Sequence, residues 1–122
     1  MMNALRLEHW GKELDKCFGI FQGTQRTYDP AKGEKGLQQT STPYHDVYES
    51  RVRKRGKGCH PEGVMIAGPK GSNKIVKKVF TPRDQDLAGR ALAVWYSRGL
   101  YDVCMISMYC PLGDRNPENH KM

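Results

Sequence analysis

The residues best suited to chemistry in this sequence form a basic run near the middle of the chain. Five of the seven residues from 51 to 57 are arginine or lysine. Such flexible cations suit contacts with nucleic-acid phosphates, which position a partner without reading its base sequence. A solvated turn and a nuclear-localisation signal are the alternatives, because charge runs also serve these roles. The members of the basic run are Arg51, Arg53, Lys54, Arg55 and Lys57.

Histidines and cysteines give weaker signals. His45 and His60 stand alone, and a lone histidine is more often a surface residue than a general base. The four cysteines lack the C-x2-C spacing of a structural zinc site, and three of them lie in or beside apolar segments. We therefore expect small core residues at these positions rather than metal ligands. The cysteines are Cys17, Cys59, Cys104 and Cys110.

The composition favours one small basic domain. The chain has 122 residues, enough for one domain at most, and a formal net charge of +7. This excess of positive charge favours anionic partners, of which nucleic acid is the commonest. No apolar run approaches the roughly 20 residues of a membrane helix, and the N-terminus is too charged for a signal peptide. We expect an intracellular protein without a membrane partner, with the nucleus as one option.

Hydrophobic periodicity predicts one helix at the start of the chain. Leu7, Trp10, Leu14 and Cys17 recur at spacings of three and four residues, so they share one face of a helix over residues 3–17. Asn3 stands at the N-cap position of this helix, where its side chain can accept a hydrogen bond from the first turn.

The next part of the chain alternates short predicted strands with polar connections. An apolar strand at 17–22 leads into a predicted loop at 27–42, which proline and glycine interrupt. Residues 43–49 alternate as an exposed strand would, whereas 63–68 is short and apolar, as in a buried strand. Between them, 51–58 ends in glycine and suits a hairpin connection.

Three strands close the predicted sheet as a meander. The first is a basic strand at 74–80, followed by a polar connection. Residues 89–99 alternate in a long strand, with Leu92, Val94 and Tyr96 on one of its faces. Residues 101–110 are apolar on both faces, so we expect a central strand that is covered on each side.

Four short motifs occur in a fixed order along the chain. Asn3 opens the helix, Ile20-Phe21-Gln22-Gly23-Thr24 forms a strand, and Gly63-Val64-Met65-Ile66 forms another. Gly89-Arg90 precedes the long strand, and the last strand ends in Tyr109-Cys110-Pro111. This series resembles the N-terminal half of the endonuclease/exonuclease/phosphatase (deoxyribonuclease-I-like) family, and especially the nuclease domains of non-LTR retroelements. The resemblance covers nearly the whole chain, but only about the first half of the family's domain.

The resemblance implies a fold class and a domain plan. It predicts an α+β protein that forms part of a four-layer α/β-sandwich, with one N-terminal helix and a mostly antiparallel, truncated sheet. Residues 1–112 would form the partial domain, and 113–122 a disordered tail.

The resemblance also implies Mg²⁺-dependent hydrolysis of phosphodiester bonds, with DNA as the substrate. Gly23 stands where the family has its metal-binding Glu, and glycine offers no side-chain oxygen. The family's C-terminal catalytic motifs are absent, since Gly113-Asp114-Arg115-Asn116 follows Pro111 too closely to be the true Gly-Asp-x-Asn. We expect a catalytically incomplete, retroelement-derived nuclease fragment whose affinity for Mg²⁺ is greatly reduced.

Three residues take candidate roles from the resemblance. Asn3 and Tyr109 match catalytic positions, at the metal site and near the scissile phosphate respectively. Arg90 matches the family's Gly-Arg and joins the basic run as a phosphate-binding candidate. Each has a structural alternative: a helix cap for Asn3, aromatic packing for Tyr109 and a solvated charge for Arg90.

Two other functions stay open. A small basic β-rich domain could bind nucleic acid through the basic run without any enzymatic role. A half-domain could also complete its sheet by self-association, because exposed strands at 89–97 and 101–109 would invite pairing with another chain.

Overall fold

The computed structural model describes residues 13, 15–56 and 60–110, and these residues build a mainly β fold. Short 3-10 helices connect some of the strands, and the described residues contain no α-helix. The strands are β1 (Gly19–Gln22), β2 (Thr27–Tyr28), β3 (Leu37–Ser41), β4 (His45–Ser50), β5 (Val52–Arg53), β6 (Val64–Pro69), β7 (Val76–Phe80), β8 (Ala91–Arg98) and β9 (Tyr101–Met108).

Two antiparallel sheets enclose the main core. The first sheet has the strand order β1-β6-β4-β3, and the second has the order β7-β8-β9. A short parallel pair, β2 with β5, forms a third sheet. The core cluster joins residues of both large sheets, which are Tyr48, Val64 and Ile66 on one side and Leu92, Val94 and Tyr96 on the other. Sandwiches of this kind keep their apolar side chains between the layers, where water is excluded.

The edge strands β1 and β9 are linked by a hydrogen bond between the sheets. Ser107 on β9 is fully buried, and its hydroxyl donates to the carbonyl oxygen of Phe21 at 2.9 Å. A buried hydroxyl needs such a partner, because its loss of water would otherwise be uncompensated. The link fixes β9 against β1 near the end of the sandwich where β1 finishes.

Along β8, burial follows the alternation of the sequence. Leu92, Val94 and Tyr96 are buried, whereas Ala91, Ala93 and Trp95 on the other face are half-buried. The predicted meander is confirmed as β7-β8-β9, and the buried strand predicted at 63–68 is confirmed as β6. The prediction at 17–22 is confirmed as β1, which begins two residues later.

The predicted loop at 27–42 is wrong, because this stretch contains β2 and β3. β3 is an edge strand with mostly exposed polar residues, and backbone pairing with β4 holds it in place. Such a strand shows no apolar alternation. The strand predicted at 43–49 is present as β4, but its predicted exposure is wrong. β4 lies between β3 and β6 and is buried throughout.

The central position predicted for 101–110 is wrong. β9 lies at the edge of its sheet, and Val103, Ile106 and Met108 are about half exposed. Apolar residues on both faces indicate burial on both sides only when other layers are present to cover them. Self-association through this edge stays a prediction.

The hairpin predicted at 51–58 is wrong for its described residues, because β5 pairs in parallel with β2. A parallel partner so far back along the chain gives no local turn signal. Core positions for the cysteines are wrong as well: Cys17, Cys104 and Cys110 are exposed free thiols, and Cys59 lies outside the described residues.

The predicted N-terminal helix falls mostly outside the described residues. Asp15 and Lys16 form a turn, and Cys17 leads from it into β1. The predicted boundary at residue 112 and the tail 113–122 also lie outside. Of the predicted fold class, the described residues establish a mainly β protein with mostly antiparallel sheets.

In the described part of the chain, no helix is both long enough and apolar enough to cross a membrane.

The core carries two tyrosines beside a buried carboxylate. Burial, followed by the nearby charges of Tyr48 and Asp46, raises the pKa of Tyr96 to about 12. Burial and then Asp46 raise the pKa of Tyr48 as well, and its hydroxyl donates to Asn73 Oδ1. The Tyr96 hydroxyl is buried and has no hydrogen-bond partner among the described residues. Tyr96 therefore belongs to the core chiefly through its ring.

We predict that Tyr96 makes the fold sensitive to alkaline pH. The raised pKa stabilises the folded state fully below pH 10, the ordinary tyrosine value, and this contribution is lost as pH rises towards about 12. Urea unfolding at pH 8 and at pH 11 should show a smaller loss of unfolding free energy in Tyr96→Phe than in the wild type. Tyr101→Phe is the control, because that ring is 75% exposed. Equal losses in wild type and Tyr96→Phe would contradict the prediction.

Candidate functional site

Several loops meet at one end of the sandwich, which we call the motif end. β1 ends beside the start of β6, since Gln22 pairs with Val64. β8 begins beside the end of β9, since Ala91 pairs with Met108. The residues that flank these strand ends define the motif end: Gly23, Thr24, Glu62, Gly63, Gly89, Arg90 and Tyr109.

Backbone hydrogen bonds join these loops in series. The Thr24 amide donates to Gly63 O at 3.1 Å, and the Gly63 amide donates to Gly89 O at 2.8 Å. The Gly89 amide then donates to the Ser50 hydroxyl at 3.1 Å, at the end of β4. Buried backbone groups need such partners. The series ties β1, β4, β6 and β8 together at this end.

Two further hydrogen bonds complete the arrangement. The Gln25 amide donates to Glu62 O at 2.9 Å, and the Tyr109 amide donates to Arg90 O at 2.8 Å. Tyr109 is half-buried and packs against the core cluster, so its position is held by both its backbone and its ring. The motif end is thus a fixed platform rather than a set of independent loops.

Glu49 is the most buried carboxylate at this end of the sandwich. It is 2% exposed, and Arg51 Nε donates to its Oε1 at 2.7 Å. Arg26 Nε lies 3.5 Å from the other oxygen, Oε2, within ion-pair range, although Oε2 accepts no hydrogen bond from the described residues. A carboxylate this deeply buried needs cationic partners, and the two arginines supply them.

Glu62 forms an ion pair with Arg90. Its Oε1 lies 3.7 Å from Arg90 Nη2, while its Oε2 is buried and has no hydrogen-bond partner within the described part. The Thr24 hydroxyl is also buried and has no hydrogen-bond partner among the described residues. Glu62 and Arg90 place one charge of each sign beside Gly63 and Gly89.

The described residues do not fit the Mg²⁺ ion that the resemblance implies. Gly23 offers no carboxylate, and its φ of 67° is a left-handed conformation that a glutamate would adopt only with strain. Glu49 and Glu62 are both engaged by arginine. Among residues 13, 15–56 and 60–110, no three His, Cys, Asp or Glu side chains group as metal ligands do. No hydrolytic step can be derived from these side chains.

The structure divides the basic run. Arg51 is bound to Glu49, and Arg55 pairs with exposed Asp86 at 3.2 Å. Arg53 Nη1 donates to the neutral Gln85 Oε1 at 2.5 Å. Lys54 is exposed and forms no ion pair within the described part of the chain. Arg53 and Lys54 therefore keep their charge available to a ligand, while Lys57 lies outside the described residues.

The basic run adjoins the motif end. Val52 of β5 lies so close to Gly89 that a Cβ added there would be 2.6 Å from Val52 Cγ2. The Val52 amide also donates to Arg26 O at 3.1 Å. These contacts bring Arg53 and Lys54 next to the loop that carries Arg90.

Some of the predicted site residues come together, and others lie outside the described residues. Arg90 and Tyr109 are neighbours at the motif end, where Gly23 also lies, and Asn3 lies outside the described residues. The sequence patterns do not predict roles for Arg26, Glu49 and Glu62. The sequence around Glu49 does carry one indication of its ion pairs. Glu49 follows Val47 and Tyr48 in a strand, and an acidic side chain in a buried strand needs a cationic partner.

Comparison of the chain with protein-family models, with curated proteins and with solved structures finds no match.

We predict that Gly63→Ala disrupts the motif end. The φ of Gly63 is 112°, and an added Cβ would lie 2.2 Å from the Thr24 hydroxyl and 3.2 Å from the Gln25 amide nitrogen. Urea unfolding should show a loss of about 2 kcal/mol or more, because strain and overlap add. Gly33→Ala is the matched control: its φ is 75°, nothing lies within 4 Å, and we expect a loss of about 1 kcal/mol. Similar losses in both variants would show that the close approach does not matter.

Proposed function

We propose that this chain is a nuclease-like β-sandwich of the retroelement type that binds nucleic acid, and DNA in particular, at the motif end without hydrolysing it. The observation that carries the proposal is the convergence of motifs that are far apart in sequence. Gly23, Gly63, Gly89-Arg90 and Tyr109 meet through hydrogen bonds and adjacent strand ends. A site that acts on one phosphodiester needs its parts gathered in this way.

The two facing sheets also favour this proposal. The central layers of a four-layer α/β-sandwich are two packed sheets, and the core of this chain lies between two antiparallel sheets. A basic module of unrelated origin could use the same cations, but it would have no need for Gly23, Gly63, Gly89-Arg90 and Tyr109 to meet at one end. Their convergence therefore favours the nuclease-like alternative.

Charge around the motif end supports binding of an anion. Six cations lie here in the described part of the chain, and three carboxylates contact them. The cations are Arg26, Arg51, Arg53, Lys54, Arg55 and Arg90, and the carboxylates are Glu49, Glu62 and Asp86. Phosphate groups would bind through the cations that keep uncompensated charge, Arg53 and Lys54 first.

The same ion pairs argue against hydrolysis. Mg²⁺ requires anionic oxygens that are free to coordinate it. The carboxylate of Glu49 already forms ion pairs with two guanidinium groups, those of Arg26 and Arg51. Arginine holds the phosphate directly in the proposed complex, so the protein positions a strand but does not activate water.

We predict that Arg53 and Lys54 contribute directly to DNA binding. Fluorescence polarisation with a labelled duplex should show that Arg53→Ala/Lys54→Ala weakens affinity by about tenfold at 0.1 M salt, and lowers the slope of log K against log salt by about 2. Lys77→Ala/Lys78→Ala removes the same charge from exposed positions on β7 and should leave that slope nearly unchanged. Unchanged affinity in the first variant, or equal effects in both, would refute this interface.

We predict no metal-dependent cleavage. Supercoiled plasmid incubated with the purified protein and Mg²⁺ should stay supercoiled, and Gly23→Glu should not restore nicking, because the left-handed backbone at this position disfavours the new side chain. A catalytically active member of the nuclease family serves as the positive control. Turnover that rises with protein concentration and survives further purification would overturn the non-hydrolytic part of the proposal.

A further inference from the structure

A second basic region lies at the opposite end of the sandwich from the motif end. A pocket of about 540 Å³ opens there, beside the start of β1, the end of β6 and the end of β8. This volume falls within the range of roughly 300–1,000 Å³ that is typical of small-molecule sites. Its lining includes four cations, one aromatic ring and one aliphatic side chain, which are Lys16, Lys70, Lys74, Arg98, Phe18 and Ile75.

Three of these cations have no ion pair within the described part of the chain, namely Lys16, Lys74 and Arg98. Lys70 differs, because its Nζ lies 3.6 Å from Asp46 Oδ1 and donates to Thr42 O at 3.1 Å. A pocket lined by one sign of charge attracts counter-ions, so an anion with several charges is its natural ligand.

Asp46, the carboxylate that pairs with Lys70, is already engaged. Its Oδ2 accepts hydrogen bonds from the amides of Gly71 at 2.9 Å and Asn73 at 3.1 Å. Its other oxygen faces Lys70. Asp46 therefore shapes the turn after β6 and forms no ion pair with the other three pocket cations.

Phe18 supplies a flat apolar surface beside these charges. Its side chain is 42% exposed and lines the pocket. Tyr96 holds the ring edge-to-face, with the centroids 5.0 Å apart and the planes at 72°. A fixed and partly exposed aromatic ring is a good stacking surface for a nucleobase.

An unpartnered hydroxyl lies at the same place. Ser72 lines the pocket, and its Oγ is buried without a hydrogen-bond partner in the described residues. A Cβ added to Gly68 would lie only 2.3 Å from this oxygen, so the glycine leaves the space that the hydroxyl occupies. Buried hydroxyls without partners are rare, and a bound polar ligand is one explanation for them.

We propose that this pocket binds a free nucleoside triphosphate. The phosphates contact Lys16, Lys74 and Arg98, and the base stacks on Phe18. Phosphate alone would account for the cations, but the exposed ring and the volume of the pocket favour the whole nucleotide. The site is separate from the motif end, because the two lie at opposite ends of the β-strands.

Isothermal titration of the full chain with ATP, without added metal, tests the site. We expect saturable binding, and we expect Lys74→Ala/Arg98→Ala to weaken it by at least about tenfold, because charge-assisted contacts are lost. Lys77→Ala/Lys78→Ala lowers the net charge equally at exposed positions outside the pocket and should change affinity by less than about twofold. Thermal unfolding confirms that each variant folds.

The contribution of the base is tested with Phe18→Leu. This change should weaken ATP binding by about fivefold and leave tripolyphosphate binding unchanged, because only the nucleotide stacks on the ring. Absence of ATP binding at millimolar concentration, tripolyphosphate bound as tightly as ATP, or equal losses in pocket and control variants would overturn the proposal. Arg53→Ala/Lys54→Ala should bind ATP like the wild type, so failure at the motif end is distinguishable from failure here.

Discussion

The peptide groups of Gly63 and Gly89 hold the motif end of this sandwich together. One amide–carbonyl hydrogen bond of 2.8 Å joins the start of β6 in one sheet to the start of β8 in the other. The remaining groups of these residues bind Thr24 and Ser50, so the series continues into both neighbouring strands. Side chains would interrupt it, since an added Cβ would lie 2.2 Å from Thr24 at one position and 2.6 Å from Val52 at the other. The positions of Arg90 and Tyr109 depend on this close approach.

Arginine, rather than a metal ion, neutralises the carboxylates of this platform. Glu49 lies between Arg26 and Arg51, and Glu62 faces Arg90. Breaking such a pair would leave a charge poorly solvated, so the arrangement resists replacement of a guanidinium by a weakly held cation. The same arginines and the neighbouring basic run give this end a surplus of positive charge. In the proposed function this surplus holds phosphate, while the described side chains do not supply the anionic oxygens that metal-assisted hydrolysis requires.

Sequence patterns predicted those parts of the fold in which burial and periodicity coincide. β6 and β8 carry apolar residues at the spacing that their burial requires, and both were predicted. β3 could not be found in this way, because its polar residues are held by backbone pairing with β4 rather than by a core. For β9 the apolar pattern was misleading. Its apolar residues predicted a central, buried strand, whereas β9 lies at the edge of its sheet.

The candidate site likewise contains residues that the sequence could predict and contacts that it could not. Motif order was enough to select Gly23, Arg90 and Tyr109, which meet at one end of the sandwich. The Arg26–Glu49 and Arg90–Glu62 ion pairs could not be predicted, because each joins residues more than twenty positions apart and has no periodic signature. The pocket with Lys74 and Arg98 likewise depends on how the ends of β6 and β8 meet.

Paramagnetic broadening by Mn²⁺, a close substitute for Mg²⁺, tests most directly whether the carboxylates of the motif end are held by arginine and do not bind a metal ion. The account predicts that amide signals of residues 22–24, 49 and 62 in isotopically labelled protein broaden no more than that of exposed Asp102, both alone and with DNA bound. Selective broadening of Gly23, Glu49 and Glu62 at low Mn²⁺ concentration would contradict it, because these signals would then report an ion held by the very carboxylates assigned here to arginine.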